Sequence, residues 1–243
     1  MTGLIFLTAW LAVPVLGFPF CRALPSCFDS RAGRIAFAFG AGSILFTLAM
    51  LALTAAGIPW TLLGILVAAA VPAGVFLART KRGRRGGSAR IPREALPGIA
   101  AAAVAVIVFG YAAATARATS ADLLFFWGTK GQDFASARGI DVAFLAVPDH
   151  ILLHPDYPPL LPCLYSLGAI AGGRFPWGAA LLTSPLFFAL TLGAFWGASR
   201  RTFGEPAAAV WCAFLGALLG FGFLASEVVG NAEPPLLFFE TLA

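Results

Sequence analysis

Runs of about twenty apolar residues recur along this chain, and each is long enough to cross the hydrocarbon of a bilayer as a helix. They cover about 3–20, 35–56, 59–78, 97–116, 177–197 and 207–226; a shorter run covers about 159–172, and another opens at Pro234. Inside lipid every backbone N–H and C=O must be bonded within the protein, so only helices and closed barrels can span. The alternating apolar and polar positions of a barrel strand are missing here. The chain is therefore expected to be all-α, a polytopic transmembrane helix bundle with one long external loop. With 60% hydrophobic and 11% charged residues it has too little charge to coat a water-soluble domain.

Charge sets the expected orientation. Arg79, Lys81, Arg82, Arg84, Arg85, Arg90 and Arg93 face only Glu94 between two apolar runs, and Arg22, Arg31 and Arg34 flank an earlier one. Basic loops of this kind stay cytoplasmic, so the 35–56 and 59–78 runs go out to the turn at Gly57-Ile58-Pro59-Trp60 and return. The N-terminus is then outside, and the 97–116 run emerges outside. The 159–172 run is short and bounded by Pro158-Pro159 and Gly172-Gly173. If it does not cross, Arg200 and Arg201 fall inside and Glu233 returns to the outer side; charge favours this arrangement over the one in which it crosses. The net charge of +5 is explained by this topology, and no nucleic-acid motif accompanies it, so nucleic acid is not an expected partner. The expected location is the bacterial inner membrane.

The chain divides in sequence into a three-span part, 1–80, a basic linker, 81–96, and a part covering 97–243. No internal repeat is apparent. Cys21, Cys27, Cys163 and Cys212 lie in or beside apolar runs without zinc or redox spacing and read as free, small apolar residues. The first apolar run lacks a basic leader and a clear cleavage site, so it reads as a retained span.

The polar stretch 117–158 is the exception to this apolar pattern. It holds Asp122, Asp133, Asp141, Asp149 and Asp156, and both histidines, His150 and His154. Asp122 follows the outward end of a span, at the lipid boundary, and precedes the aromatic residues Phe125, Phe126 and Trp127. A carboxylate there can take the proton of an acceptor hydroxyl while its oxygen attacks a sugar carbon; its plain structural alternative is an N-cap. Lys130 lies about two helical turns on, and its cation, with Arg117 and Arg138, can balance a departing lipid phosphate; snorkelling to headgroups is the alternative. His150 and His154 are four apart, but Pro155 breaks the helix that would align them as metal ligands. No metal and no cofactor is expected. Two prolines after Tyr157 predict an extended approach to the next helix that holds His154 and Tyr157 at the interface. Glu233 opens the last apolar run, where a cap is again the plain reading.

Three elements in order carry a resemblance over about 97–243: Asp122 with Trp127 and Lys130, HPDYPPLLP from His154 to Pro162, and NAEPPL from Asn231 to Leu236. Together they resemble the GT-C fold of integral-membrane glycosyltransferases, in particular bacterial relatives of the dolichyl-phosphate-mannose protein mannosyltransferases. Those enzymes carry an acidic residue in the first large external loop, a Pro-Pro-Leu-type segment before the next helix, and a small-residue–Asp–Pro–Leu motif at a later external turn. Glu233 stands where Asp is usual. The resemblance implies an inverting transfer of sugar from a polyprenyl-phosphate carrier to an acceptor at the outer face. Asp122 would be the general base; Lys130, His154, Tyr157 and Glu233 would bind donor or acceptor; Arg117 and Arg138 would meet the lipid phosphate. Membrane lipid is the remaining expected partner. Such enzymes continue through more helices, so this chain is expected to be a fragment of one. Two other readings compete: a transporter, which normally places ionisable groups inside its spans, and a noncatalytic membrane scaffold subunit.

Overall fold

The computed structural model describes residues 1–23, 30–80, 91–115, 121–149, 154–225 and 232–243. Among them every regular element is helical. Five stretches are long and apolar enough to cross a membrane: Thr2–Ala23, Arg31–Ala55, Leu62–Arg79, Arg93–Thr115 and Trp177–Phe203. The chain is a membrane protein of the helical class by this length and composition.

The first stretch is broken rather than continuous. It comprises α1 (Thr2–Ala9), α2 (Ala12–Gly17) and a 3₁₀ turn (Phe18–Ala23). Pro14 has no N–H to donate, and the backbone tightens ahead of it, where Val13 N–H bonds the Trp10 carbonyl at 3.1 Å. Next come α3 (Arg31–Ala55) and α4 (Leu62–Arg79). Each starts on a hydroxyl cap, Ser30 accepting from Gly33 N–H and Thr61 from Gly64 N–H. After a 3₁₀ turn, Arg93–Ala95, α5 spans Leu96–Thr115. The later elements are α6 (Gly128–Ala137), α7 (Val142–Leu145), α8 (Leu160–Gly172), α9 (Trp177–Ala180), α10 (Thr183–Phe203), α11 (Glu205–Ala225) and α12 (Glu233–Leu242).

Without a hydrophobic drive between helices in lipid, close approach depends on small residues. A Cβ on Gly17 would stand 1.8 Å from the Ala38 carbonyl oxygen, and one on Gly42 would stand 2.0 Å from that of Val13. The backbones of α2 and α3 thus touch. On the far side of α3, α10 runs antiparallel: Phe187 meets Phe39 edge-on at 5.5 Å, while Gly193 and Gly197 lie against Ala32 and Gly33. One aromatic core joins early and late parts of the chain through Phe6, Trp10, Phe39, Tyr165, Phe187 and Phe238. The linker at 81–96 divides the chain in sequence and not in packing.

Helix directions follow from the same contacts. Arg22 Nη1 donates to the Leu77 and Thr80 carbonyls, both at 2.9 Å, so the end of the first stretch and the end of α4 share one face of the bundle. At the opposite face Trp60 N–H bonds the Arg138 carbonyl at 2.7 Å, joining the α3–α4 turn to the segment after α6. Helix α8 runs antiparallel to α1: Trp10 Nε1 donates to Leu164 O at 3.1 Å, Gly168 lies on Phe6, and Gly172 on Thr2. It starts partway along the bundle and ends beside the N-terminus, so it does not run from face to face. Helix α10 then descends to the face that holds Arg22, with Arg200 pairing Glu205 at 3.3 Å, and α11 rises parallel to α5, Gly98 lying against Ala209 and Gly216 against Ala105. These directions match the arrangement that the basic residues favour. The α5–α11 seam leaves an apolar groove of about 170 Å³ between Ala101, Ala105, Val108, Gly216 and Gly220.

Candidate functional site

Residues 121–137 of the polar stretch are helical where the sequence predicted a loop. From Ala121 the chain is helical through a π-turn, Leu123–Trp127, and on into α6. Gly128 N–H reaches back five residues to the Leu123 carbonyl, and the Thr129 hydroxyl bonds the Leu124 carbonyl. A π-turn takes up one extra residue. In a pure α-helix Lys130 would project about 80° away from Asp122; the extra residue cuts this to about 20°. The two charges are thus brought close to one face. Asp122 is half-buried, has a right-handed helical backbone and makes no capping hydrogen bond, so it is not the N-cap that its place in sequence suggests.

Lys130 sits at the centre of the site and is 2% exposed. Its Nζ donates to the His154 carbonyl at 3.0 Å, stands 4.7 Å from the Trp127 ring centroid and 5.9 Å from that of Tyr157. Burial pulls the amine down from 10.5 to about 8, against the opposing charge of Asp156. Trp127 is 7% exposed, and its Nε1 has no hydrogen-bond partner among the described residues.

The partner segment 154–159 does not approach α8 as the extended strand that two prolines predict. It folds back, with Tyr157 N–H bonding the His154 carbonyl at 3.1 Å. Pro155 supplies the fixed φ that the second position of a turn prefers, and His154 takes a left-handed φ of 49°, a conformation few side chains other than Gly, Asn, Asp and His adopt. The turn stacks Tyr157 on His154 at 4.5 Å and 12°, and on Trp127 at 5.6 Å and 24°, with Phe126 edge-on to His154 at 5.2 Å. Tyr157 remains 43% exposed.

Helix α8 supports this unit from below. A Cβ on Gly131 would lie 2.7 Å from that of Tyr165, so α6 and α8 cross in near contact. Ser166 Oγ lies 2.9 Å from the Gly131 carbonyl and 2.8 Å from that of Pro162, and Tyr165 Oη is 2.9 Å from Thr183 Oγ1. Gly128 likewise admits Trp177, whose ring a Cβ there would meet at 2.5 Å.

The other expected residues stand apart from this cluster. Arg138 ends α6 in a left-handed conformation and gives Nη1 to the Trp60 carbonyl at 3.4 Å, which ties it to the α3–α4 turn. Glu233 is exposed at the first position of α12, ahead of Pro234 and Pro235, and that helix packs chiefly on α10 and α3 through Phe238. Arg117, His150, Cys27, Glu227 and Asn231 lie outside the described residues. Cys21, Cys163 and Cys212 are free thiols. Among the described residues no group of three His, Cys, Asp or Glu side chains is placed to hold a metal. Sequence reasoning singled out Lys130, His154 and Tyr157 but gave Trp127 only an interfacial role. The three-residue spacing from Trp127 to Lys130, which puts both on one helix face, was the signal for it.

Compared with protein-family models, with curated proteins and with solved structures, the chain has no match in any of the three.

Proposed function

We propose that this chain is a glycosyltransferase of the GT-C type in a bacterial inner membrane, moving a sugar from a polyprenyl-phosphate carrier to an acceptor at the outer face. The observation that carries this reading is that Asp122, Trp127, Lys130, His154 and Tyr157 belong to one helix and one turn at a single corner of the bundle. In the proposed reaction the Asp122 carboxylate takes the acceptor hydroxyl proton as that oxygen forms its bond to the anomeric carbon. The carbon–oxygen bond to the carrier phosphate breaks with inversion, and the phosphate leaves with the electron pair. Tyr157 and His154 offer an aromatic flank for the sugar and Lys130 a cation for the phosphate; Arg138, tied to the α3–α4 turn, and Glu233, at the start of α12, stand apart, and the reaction is proposed without them.

The test uses membranes that carry the chain, supplied with labelled polyprenyl-phosphate mannose or polyprenyl-phosphate glucose. Asp122→Asn should insert normally and lower label transfer by a hundredfold or more, about the size of a lost general base. Undiminished transfer by Asp122→Asn would remove the base from the mechanism.

A further inference from the structure

A cation withdrawn from water is stable only where something replaces its hydration. Lys130 is 2% exposed, yet its Nζ has one protein acceptor among the described residues, the His154 carbonyl, and otherwise lies over the faces of Trp127 and Tyr157. Beside it the Trp127 indole N–H is buried with no acceptor among the described residues. Buried donors of this kind are rare and call for a partner. A positive charge and a neutral donor, adjacent and both short of acceptors, fit an oxyanion, which accepts from both and bonds charged donors more strongly than a carbonyl does.

We infer that Lys130 Nζ and Trp127 Nε1 form a subsite for a phosphate oxyanion, closed over by the 154–157 turn. The anion replaces the His154 carbonyl as acceptor from the amine, and the turn moves outward to admit it. Pro155, Asp156, Tyr157 and Pro158 are all exposed, so little is packed outside the turn to obstruct this movement. The left-handed His154 backbone marks a conformation that packing must hold. This inference deepens the transferase reading and rests on it only in expecting the phosphate to belong to a lipid carrier; a phospholipid headgroup or free phosphate offers the same chemistry.

Protonation gives the subsite a signature. The titratable groups on the elements around the amine are His154, Asp156 and Tyr157 of the turn, Asp122 and Asp133 of its own helix, and Cys163 and Tyr165 of α8. Of these, Asp156 is the charge that opposes the effect of burial. The amine loses its proton near pH 8, and a bound anion favours the charged form. Phosphate affinity should therefore hold below pH 8 and fall about tenfold per pH unit above it.

Titration calorimetry on the full chain in nanodiscs, with polyprenyl monophosphate, phosphatidylglycerol and inorganic phosphate as separate probes at pH 7 and pH 9.5, tests this. Wild type should bind at least one probe, more weakly at the higher pH. Lys130→Arg should bind equally at both pH values, since its charge persists. Lys130→Met should lose binding, and Trp127→Phe, which keeps the ring and removes the donor, should weaken it about fivefold. Binding of polyprenyl monophosphate alone identifies the carrier, and binding of all three identifies phosphate in general; both support the subsite. No binding by folded wild type, unchanged binding by Lys130→Met, or unchanged binding by Trp127→Phe would each overturn it. The readouts separate the two proposals: phosphate binding without sugar transfer sinks the transferase alone, and transfer with undisturbed binding in Lys130→Met sinks the subsite alone.

Discussion

The α3–α10 seam and the α6–α8 corner bury their side chains equally well, but they treat polar groups differently. Along the seam Ser43, Thr47, Thr191 and Ser199 each give their hydroxyl to the carbonyl four residues back, so nothing polar is left over. At the corner a lysine is buried against two aromatic rings and a neighbouring indole N–H has no acceptor among the described residues. An interior made only for stability would have been finished like the seam. Unfinished polar burial is tolerated where it serves a ligand, and this contrast, more than the presence of titratable residues, points to the corner.

Four changes bear on the contrast. The largest effect belongs to the α2–α3 contact, on the other side of α3 from the seam: Gly42→Leu drives a side chain into the Val13 backbone and should cost about 3 kcal/mol or more, read as loss of the folded fraction in graded detergent denaturation. An unchanged folded fraction would mean that α2 and α3 do not cross at Gly42. Next is Lys130. Its pKa is about 8 folded and 10.5 otherwise, so across that window the folded state holds fewer protons and stability should climb with pH, by at most roughly 3 kcal/mol. Lys130→Met should abolish the climb and be no less stable than wild type at pH 7; a parallel climb in the variant would show that the amine is not buried. Smaller again is Ser166→Ala, which removes the hydroxyl shared by the Gly131 and Pro162 carbonyls and should cost about 1 kcal/mol. It should also loosen α6 from α8, seen as faster amide exchange in 128–137. The smallest is Leu218→Ile on exposed α11, expected to stay within about 0.5 kcal/mol and serving as the baseline for the other three.

The spans were legible because a bilayer demands an uninterrupted apolar run whatever the packing, and their ends agree with the helices to a few residues. Which spans are central was not legible. The α3 and α5 stretches are equally hydropathic, yet 61% of one and 17% of the other is buried; lipid and protein interior select the same side chains, and glycine contacts such as Gly42 on Val13 decide the matter. The basic residues did carry helix direction, since Arg22, Arg79, Arg200 and Arg201 resolve the short α8. At the site, Lys130, His154 and Tyr157 were found by residue type, but their assembly was not. The π-turn that rotates Asp122 toward Lys130, and the fold-back that brings the His154 carbonyl to the amine, are features that no local pattern announces. Glu233 was paired with Asp122 by side of the membrane alone, and its helix rests on α10 and α3.

The claim that the α6–α8 corner, and not the apolar α5–α11 groove, is where the chain meets a lipid-linked sugar can be tested by site-specific photo-crosslinking. A benzophenone side chain would replace Tyr157 in one variant and Val104, which lines the groove, in another, each illuminated with labelled polyprenyl-phosphate sugar. The account predicts a donor adduct at position 157 that excess unlabelled polyprenyl phosphate displaces, with only background labelling at 104. Displaceable labelling at 104 and none at 157 would contradict it.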